Sequence, residues 1–226
     1  MALIWLNPFR NDFPDPERSA SKDVIAAGGD LSPDRLLAAY KNGIFPWYNE
    51  DEPILWWSPD PRMVLLPNNL KVAKSMRPLF NQQKFTVTYN THFKQVMSNC
   101  RENDRKGQSG ESWINDDMIE AYSVLNEGGY AHSVEVWEEG VLVGGLYGIA
   151  IGKIFFGESM FTKVSNASKY GFISLVEALK KRDFKLIDCQ QETQHLTSLG
   201  GQMMSRKDFM AFVRANGEDI LNLKDE

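Results

Sequence analysis

The stretch that decides the fold is "AHSVEVWEEGVLVGGLYGIAIGKIFFGESMFTKVSNASKYGFISLVEALKKRDFKLIDCQ", from Ala131 to Gln190. Its first half is dense in β-branched and aromatic residues and reads as three strands, "AHSVEVW", "VLVGGLYGIAIG" and "KIFFGESMF". Turns fall at Glu138–Gly140 and near Gly152. The apolar period then changes from two to 3.6. Phe172, Leu175, Val176 and Leu179 lie on one face of a helix from about Asn166 to Arg182. "FKLIDCQ" follows as a strand.

Three strands, a helix and a further strand form the central unit of acetyltransferase (GNAT)-like folds, an order that many α+β folds share. Acetyl-CoA enzymes of that kind carry a glycine-rich loop at the strand-to-helix junction, whose N–H groups hold a pyrophosphate. Here the junction reads "GESMFTKVSNASKYG" and lacks that signature. A fold of this type would therefore use a donor other than acetyl-CoA.

Working outward, residues 1–30 read as irregular, with Pro8, Pro14, Pro16 and a turn at Gly28–Asp30. A helix then begins, with Ser32 able to cap, Pro33 suited to the first position and Asp34 at the positive end. Gly43 can end it. Lys41–Arg62, "KNGIFPWYNEDEPILWWSPDPR", reads as a long loop carrying Trp47, Trp56 and Trp57 among four prolines. A break near Arg62 divides a small N-terminal α/β domain, 1–62, from a GNAT-like catalytic domain, 63–226, although a Pro-rich loop inside one domain looks the same. Beyond it come a short helix "LKVAKSMR" before Pro78, a strand "KFTVTYN", a helix from Thr91, a polar loop "RENDRKGQSG" and a helix "NDDMIEAYSVLNEGG". The last helix opens on a capping box, "SRKD", at Ser205–Asp208.

Composition narrows the classes. The net charge is -5, so contacts to nucleic acid must be local, and a cationic partner suits the surface at least as well. The start of the chain has neither a basic leader nor a sustained apolar run, and no window is apolar enough to span a bilayer. A cytoplasmic protein is expected. Cys100 and Cys189 are distant, and His92, His132 and His195 stand at no ligand spacing, so no metal site is expected. No heptad or large apolar repeat is visible, and a monomer is expected.

Individual motifs leave alternatives open. Asp188 and Gln190 are two apart in a strand and share a side of the sheet, with Ile187 and Cys189 on the other. They can accept a proton and orient an amine, or merely satisfy a strand end. Glu158 in "FFGESMF" is costly to desolvate unless paired, so it either recognises a cation or sits exposed on a turn. Trp47 and Trp113 offer ring faces for a base or for packing between domains. Trp56 and Trp57 suit such packing. Lys71, Lys74 and Arg77 spread along one side of a short helix, with Lys84 beyond, as a phosphate patch or a solvated face.

Together the motifs are more specific. "GGDLSPDRLLAAYKNGIFPWY", "PILWWSPDPR", "ESWINDDMIEAY", the run from His132 to Phe161, "NASK" and "LIDCQ" strongly resemble the bacterial leucyl/phenylalanyl-tRNA–protein transferases, in order over about residues 25–205. The resemblance implies two domains. It implies transfer of Leu or Phe (Met less well) from aminoacyl-tRNA to proteins beginning with Arg or Lys, marking them for N-end-rule degradation. It implies no metal and no cofactor. Asp188 would draw off the amine proton, directly or through Gln190, and Glu158 would bind the acceptor or orient it. Trp47, Trp113 and Tyr122 would hold the terminal adenosine. Leu146, Phe155, Phe172, Leu175 and Ile187 would line the aminoacyl pocket, and Lys71, Lys74, Arg77 and Lys84 would meet tRNA phosphates. Two departures stand out: Leu146 replaces a position where relatives can carry Met, and Pro78, Asn81 and Gln82 thin the basic patch. An aminoacyl-tRNA-dependent cell-wall peptide ligase and a non-catalytic tRNA-end binder are the competing readings.

Overall fold

Alternate residues of the Ala131–Gln190 segment bury on opposite faces of one sheet. The computed structural model describes residues 3–19, 21–103 and 112–217. In chain order the elements are β1 (Val24–Ala27), α1 (Pro33–Lys41), β2 (Phe45–Pro46), β3 (Leu55–Trp57), β4 (Arg62–Leu65), α2 (Arg77–Asn81), β5 (Thr86–Tyr89), α3 (Phe93–Glu102) and α4 (Asp116–Glu127). There follow β6 (Ala131–Glu138), β7 (Val141–Ile151), β8 (Ile154–Thr162), α5 (Ala167–Lys181), β9 (Leu186–Gln190), α6 (Gln194–Ser198), β10 (Gln202–Met204) and α7 (Arg206–Asn216).

Seven strands form one mixed sheet in the order β10-β4-β9-β8-β7-β6-β5. Every neighbouring pair in it is antiparallel except β8 with β9. A parallel pair needs a long crossover, and α5 supplies it. Antiparallel hairpins followed by a crossover helix and a parallel strand make this an α+β, acetyltransferase-like arrangement. Tyr147 and Ile149 of β7, Phe156 of β8 and Leu186 of β9 pack with α1, α3, α4 and α7 on one face. Leu146, Phe155 and Ile187 pack with Phe172, Leu175, Val176 and Leu179 of α5 on the other. Burying each such side chain contributes about 1.5–3 kcal/mol. At Gly148 a Cβ would lie 2.2 Å from the Phe156 carbonyl oxygen, so only glycine lets β7 and β8 approach there.

The N-terminal part is more regular than expected. Residues 1–30 contain β1 and a 3-10 turn at Pro16–Arg18. The expected loop of Lys41–Arg62 contains β2 and β3, which complete an antiparallel sheet in the order β1-β3-β2. Pro46 sits in the two-residue edge strand, where the sheet needs no N–H from it, and the other prolines flank the strands. Alternation sends Trp56 inward, where its Nε1 donates to the Gly28 carbonyl at 2.8 Å, and leaves Trp57 half-buried against Trp47.

Three local readings change. Ser32 makes no side-chain cap; instead Asp30 Oδ1 accepts from the Ser32 N–H at 2.8 Å. The helix expected before Pro78 is an extended stretch, then a 3-10 turn at Lys74–Met76 and then α2, which starts around Pro78 because proline suits a first turn. Of the polar loop, Arg101 and Glu102 close α3, while 104–111 lie outside the described residues. Ser205 caps α7 as expected, accepting from the Asp208 N–H at 3.1 Å.

One ion pair ties the two ends of this architecture together. Arg62 opens β4 with 1% of its side chain exposed, and Asp188 on β9 has none. Arg62 Nε and Nη2 donate to the two Asp188 oxygens at 2.8 and 2.7 Å. Nη1 donates to the Gly43 carbonyl at 3.2 Å, just past α1. The rings of Phe45 and Phe209 each lie 4.7 Å from the guanidinium carbon. Removing one member leaves an uncompensated buried charge. Arg62→Ala is expected to lower the free energy of unfolding by about 3–5 kcal/mol in urea denaturation, and the double variant with Asp188→Ala to lose less than the sum of the two.

Candidate active site

Hydrogen-bonded pairing between β8 and β9 covers only Ile154–Leu186, Phe155–Ile187 and Phe156–Asp188. β8 continues to Thr162, but β9 ends at Gln190. Two bulges lie at this junction. The β7–β8 register passes from Gly148–Gly157 to Tyr147–Ser159, which leaves Glu158 as the extra residue. The β4–β9 register passes from Val64–Asp188 to Met63–Gln190, which leaves Cys189. A bulge re-aims its side chain and ends regular pairing. A cavity of about 400 Å³ opens here.

Its apolar wall is Leu146, Phe155, Phe172 and Ile187, joined by Met160 and Leu196. Leu175, expected in this wall, does not line the cavity; it is 4% exposed and packs in the helix–sheet core. Phe172 serves both the core and the cavity. At the mouth stand Trp47 and Trp113, both half-buried. Trp47 is braced from behind. Its ring lies 5.1 Å from that of Trp57, Trp57 Nε1 donates to the Trp47 carbonyl at 2.6 Å, and the Trp47 N–H donates to the Leu55 carbonyl at 2.9 Å. Tyr122, expected to help hold a base, is fully buried and has no free ring face for stacking. It offers a hydroxyl group instead.

The polar wall holds Glu158, Asp188, Cys189 and Gln190, continued by Thr193 and His195. Strict alternation would have put Ile187 and Cys189 on the far side from Asp188 and Gln190. The bulge at Cys189 and the left-handed φ of 60° at Gln190 bring all four to the cavity. Asp188 is closed by Arg62, and its Oδ1 also accepts from the Gln190 N–H at 2.9 Å. Glu158 is 8% exposed, which excludes the exposed-turn reading. Gln190 Nε2 donates to Glu158 Oε1 at 2.9 Å, and the Tyr122 hydroxyl donates to Oε2 at 3.4 Å. The hydroxyl of Tyr40, from α1, is bonded to that of Tyr122.

Burial is the main electrostatic influence. It pushes the Glu158 carboxyl up to about 8; the Asp188 charge adds to this, and the Tyr40 and Tyr122 hydroxyls and the Arg62 charge oppose it. Burial, then the Asp188 charge, raises the Cys189 thiol, so it is no nucleophile at neutral pH. Burial lowers His195, aided by Lys169. Its Nε2 is buried without a partner among the described residues. Lys71, Lys74 and Arg77 are exposed, on the extended-to-helix segment before β5 rather than along one helix. The Lys71 N–H is tied to the Leu199 carbonyl at 2.9 Å, which joins this segment to the end of α6 on the cavity wall. Lys84 is engaged by Glu138 at 2.5 Å. Among the described residues no group of His, Cys, Asp or Glu is placed to hold a metal ion.

Arg62 and Tyr40, which support the polar wall from behind, are among the residues that the sequence does not single out, as are Met160, Thr193, His195 and Leu196 of the cavity lining. A signal for the first existed. "RMVLL" and "LIDCQ" each place one charge in an apolar strand, and two such charges are complementary. Tyr40 was absorbed into the apolar face of its helix, where nothing marks its hydroxyl as functional.

A family model described as leucyl/phenylalanyl-tRNA protein transferase matches residues 64–214, and one for the N-terminal domain of that protein matches 29–60. The leucyl/phenylalanyl-tRNA–protein transferase of Flavobacterium johnsoniae is 55% identical over 203 residues, covering 90% of this chain and 95% of that one. That of Christiangramia forsetii is 53% identical over 213 residues, covering 93% and 100%. That of Pseudomonas fluorescens is 50% identical over 214 residues, covering 94% of each. A solved GCN5-related N-acetyltransferase from Kribbella flavida is 11% identical, covers 76% of this chain and 61% of that one, and superposes with a TM-score of 0.35, too slight a likeness to add to the topology.

The raised Glu158 has a consequence for stability. The folded chain favours the neutral carboxyl, whereas an unfolded glutamate ionises near 4.5. Its contribution is thus complete below about 4.5 and is lost as pH rises toward about 8. Glu158→Gln stays neutral at every pH. The stability of that variant relative to the parent is expected to increase through this window, read as urea midpoints at about pH 5 and about pH 9.

Proposed function

The chain belongs to the leucyl/phenylalanyl-tRNA–protein transferase family, and from that premise we propose that it transfers Leu or Phe, and Met less well, from aminoacyl-tRNA to the α-amino group of proteins beginning with Arg or Lys. It is an aminoacyltransferase. The new N-terminal residue marks its bearer for degradation. The enzyme works as a monomer in the cytoplasm, where its donor is made. The observation that carries the reading is a cavity with an apolar floor, a braced indole at its mouth and a polar wall of Glu158, Asp188 and Gln190.

The aminoacyl ester is already activated, so the enzyme needs no covalent intermediate, only a neutral amine held against the carbonyl. An α-amino group ionises near 7.7–8.0 and a Lys side chain near 10.4, so deprotonation near pH 7 costs about 1 kcal/mol for the first and nearly 5 for the second. The N-terminus is therefore the nucleophile. Asp188 is held by Arg62; it accepts from the Gln190 N–H and raises the proton affinity of Glu158. Direct removal of the proton by Asp188 would break its pair with Arg62. Glu158, pushed up to about 8, is matched to the amine, and a proton leaving toward the Gln190–Glu158 pair comes to rest there.

The terminal adenine stacks between Trp47 and Trp113. Leu146, Phe155, Phe172 and Ile187 receive the donor side chain, and Cβ-branched residues fit such a pocket poorly, a discrimination of about 1–3 kcal/mol. Lys71, Lys74 and Arg77 meet backbone phosphates; Lys84, already paired, contributes less.

Three measurements test this. Labelled Phe-tRNA with a peptide beginning in Arg is expected to give extended peptide; complex without product would instead support a tRNA-end binder, and product only on cell-wall peptides a ligase. Trp47→Ala is expected to weaken donor binding by about 1–3 kcal/mol with little change in the unfolding midpoint, and an equal loss of stability would overturn the stacking role. Donor affinity is expected to fall with salt, with a shallower slope in the Lys71→Ala/Lys74→Ala/Arg77→Ala triple variant.

A further inference from the structure

Tyr40 lies outside the catalytic part of the sequence, yet it reaches the polar wall of the cavity. Its hydroxyl and that of Tyr122 come from different helices, α1 and α4, and bond to each other with no exposed surface. Tyr122 passes the bond on to Glu158 Oε2, and Glu158 Oε1 accepts from Gln190 Nε2. With its nitrogen so engaged, the Gln190 carboxamide has its oxygen left for the cavity. We propose that Tyr40 is a positioning residue: through Tyr122 and Glu158 it fixes the Gln190 carboxamide with its oxygen toward the acceptor amine, and it adjusts Glu158 to the proton that the amine gives up. This rests on the reading that Glu158 and Gln190 face the acceptor.

The proton count supports it. When Glu158 is ionised, Tyr40 donates to Tyr122, Tyr122 donates to Oε2 and Gln190 donates to Oε1, so the carboxylate is satisfied at both oxygens. When Glu158 takes the amine proton, its Oε2–H donates to the Tyr122 oxygen and Tyr122 turns its own O–H to the Tyr40 oxygen. No heavy atom has to move, and no charge is left without a hydrogen bond in a dry site. The ammonium loses one proton to Glu158 and its freed nitrogen pair attacks the ester carbonyl; the nitrogen then gives up a second proton, the ester C–O bond breaks, and the tRNA ribose oxygen leaves as a hydroxyl with that proton.

Other groups facing Glu158 set the background against which Tyr40 acts. They are Tyr122 on α4, Tyr147 beside it on β7, Asp188, Cys189 and Gln190 on β9, and Arg62 on β4. Asp188 opposes ionisation of Glu158, while Arg62 and the two tyrosine hydroxyls favour it. Glycine at residue 43, φ 65°, turns the chain just after α1 so that one helix end delivers both Tyr40 to Glu158 and the Gly43 carbonyl to Arg62.

Tyr40→Phe removes one oxygen and keeps the ring against Phe156, 5.3 Å away. The full chain, parent and variant, is followed in two ways. Infrared difference spectra against Glu158→Gln report the Glu158 titration without any substrate. Single-turnover transfer from Phe-tRNA to an Arg peptide gives the pH profile. The Glu158 midpoint in Tyr40→Phe is expected to rise by about one pH unit, the worth of a hydrogen bond to a charged group. The transfer profile is expected to move with it, while KM for Phe-tRNA stays unchanged. Tyr122→Phe is expected to shift the midpoint in the same direction and supplies the test if Tyr40→Phe does not fold. An unmoved midpoint, or a loss of rate equal at every pH, overturns the proposal. If the parent does not extend the Arg peptide, the functional reading fails, and the infrared titration still decides the role of Tyr40.

Discussion

The Arg62–Asp188 pair is the constraint on which the rest of the structure depends. Desolvating two charges costs several kcal/mol per ion, and only good geometry offsets it. Here the guanidinium meets both carboxylate oxygens, donates a third bond to the Gly43 carbonyl and lies between two aromatic faces. Those partners come from β9, the end of α1, β2 and α7. A single side chain thereby holds the N-terminal segment, the last helix and the parallel strand at one point. It also fixes Asp188 beside the cavity.

Around that point the sheet stops being regular. Pairing between β8 and β9 lapses after Asp188, and each strand carries a bulge, at Glu158 and at Cys189. A continuous parallel ladder would have filled this space with backbone hydrogen bonds. Its interruption leaves room for a ligand and turns Glu158, Asp188, Cys189 and Gln190 to one side. The small sheet β1-β3-β2 then supplies what the large one lacks, a rigid support for Trp47 at the mouth. The three indoles of the proline-rich segment Lys41–Arg62 take different places. Trp56 is core, Trp57 is a brace, and Trp47 stands braced at the cavity.

Much of this was legible in residue order. The strands and helix of Ala131–Gln190 follow from period, and the chemistry of Glu158 from the cost of an acid among phenylalanines. Leu146, Phe155, Phe172 and Ile187 share one cavity wall. Leu175 does not, because residues on one helix face share a direction but not a depth, and Phe172 alone reaches past the core. Tyr122 was assigned by analogy to a stacking role, and burial leaves it only its hydroxyl. The edge strand at Pro46 was missed because proline argues against strands in general, and only the sheet shows that its N–H is not needed.

By itself the sequence determined the α+β class and the family, and it marked most of the apolar and polar residues that line the cavity. These depend on local period and residue chemistry, which the chain carries wherever it folds. Only the tertiary structure decided that Asp188 is locked by Arg62, that Cys189 shares the side of Gln190, and that Tyr40 joins Glu158 through Tyr122. Arg62 and Asp188 are 126 positions apart, and Tyr40 and Tyr122 are 82 apart. Contacts of that range, and bulges that shift a register by one residue, are set by how the sheets and helices pack and leave no periodic mark in the chain.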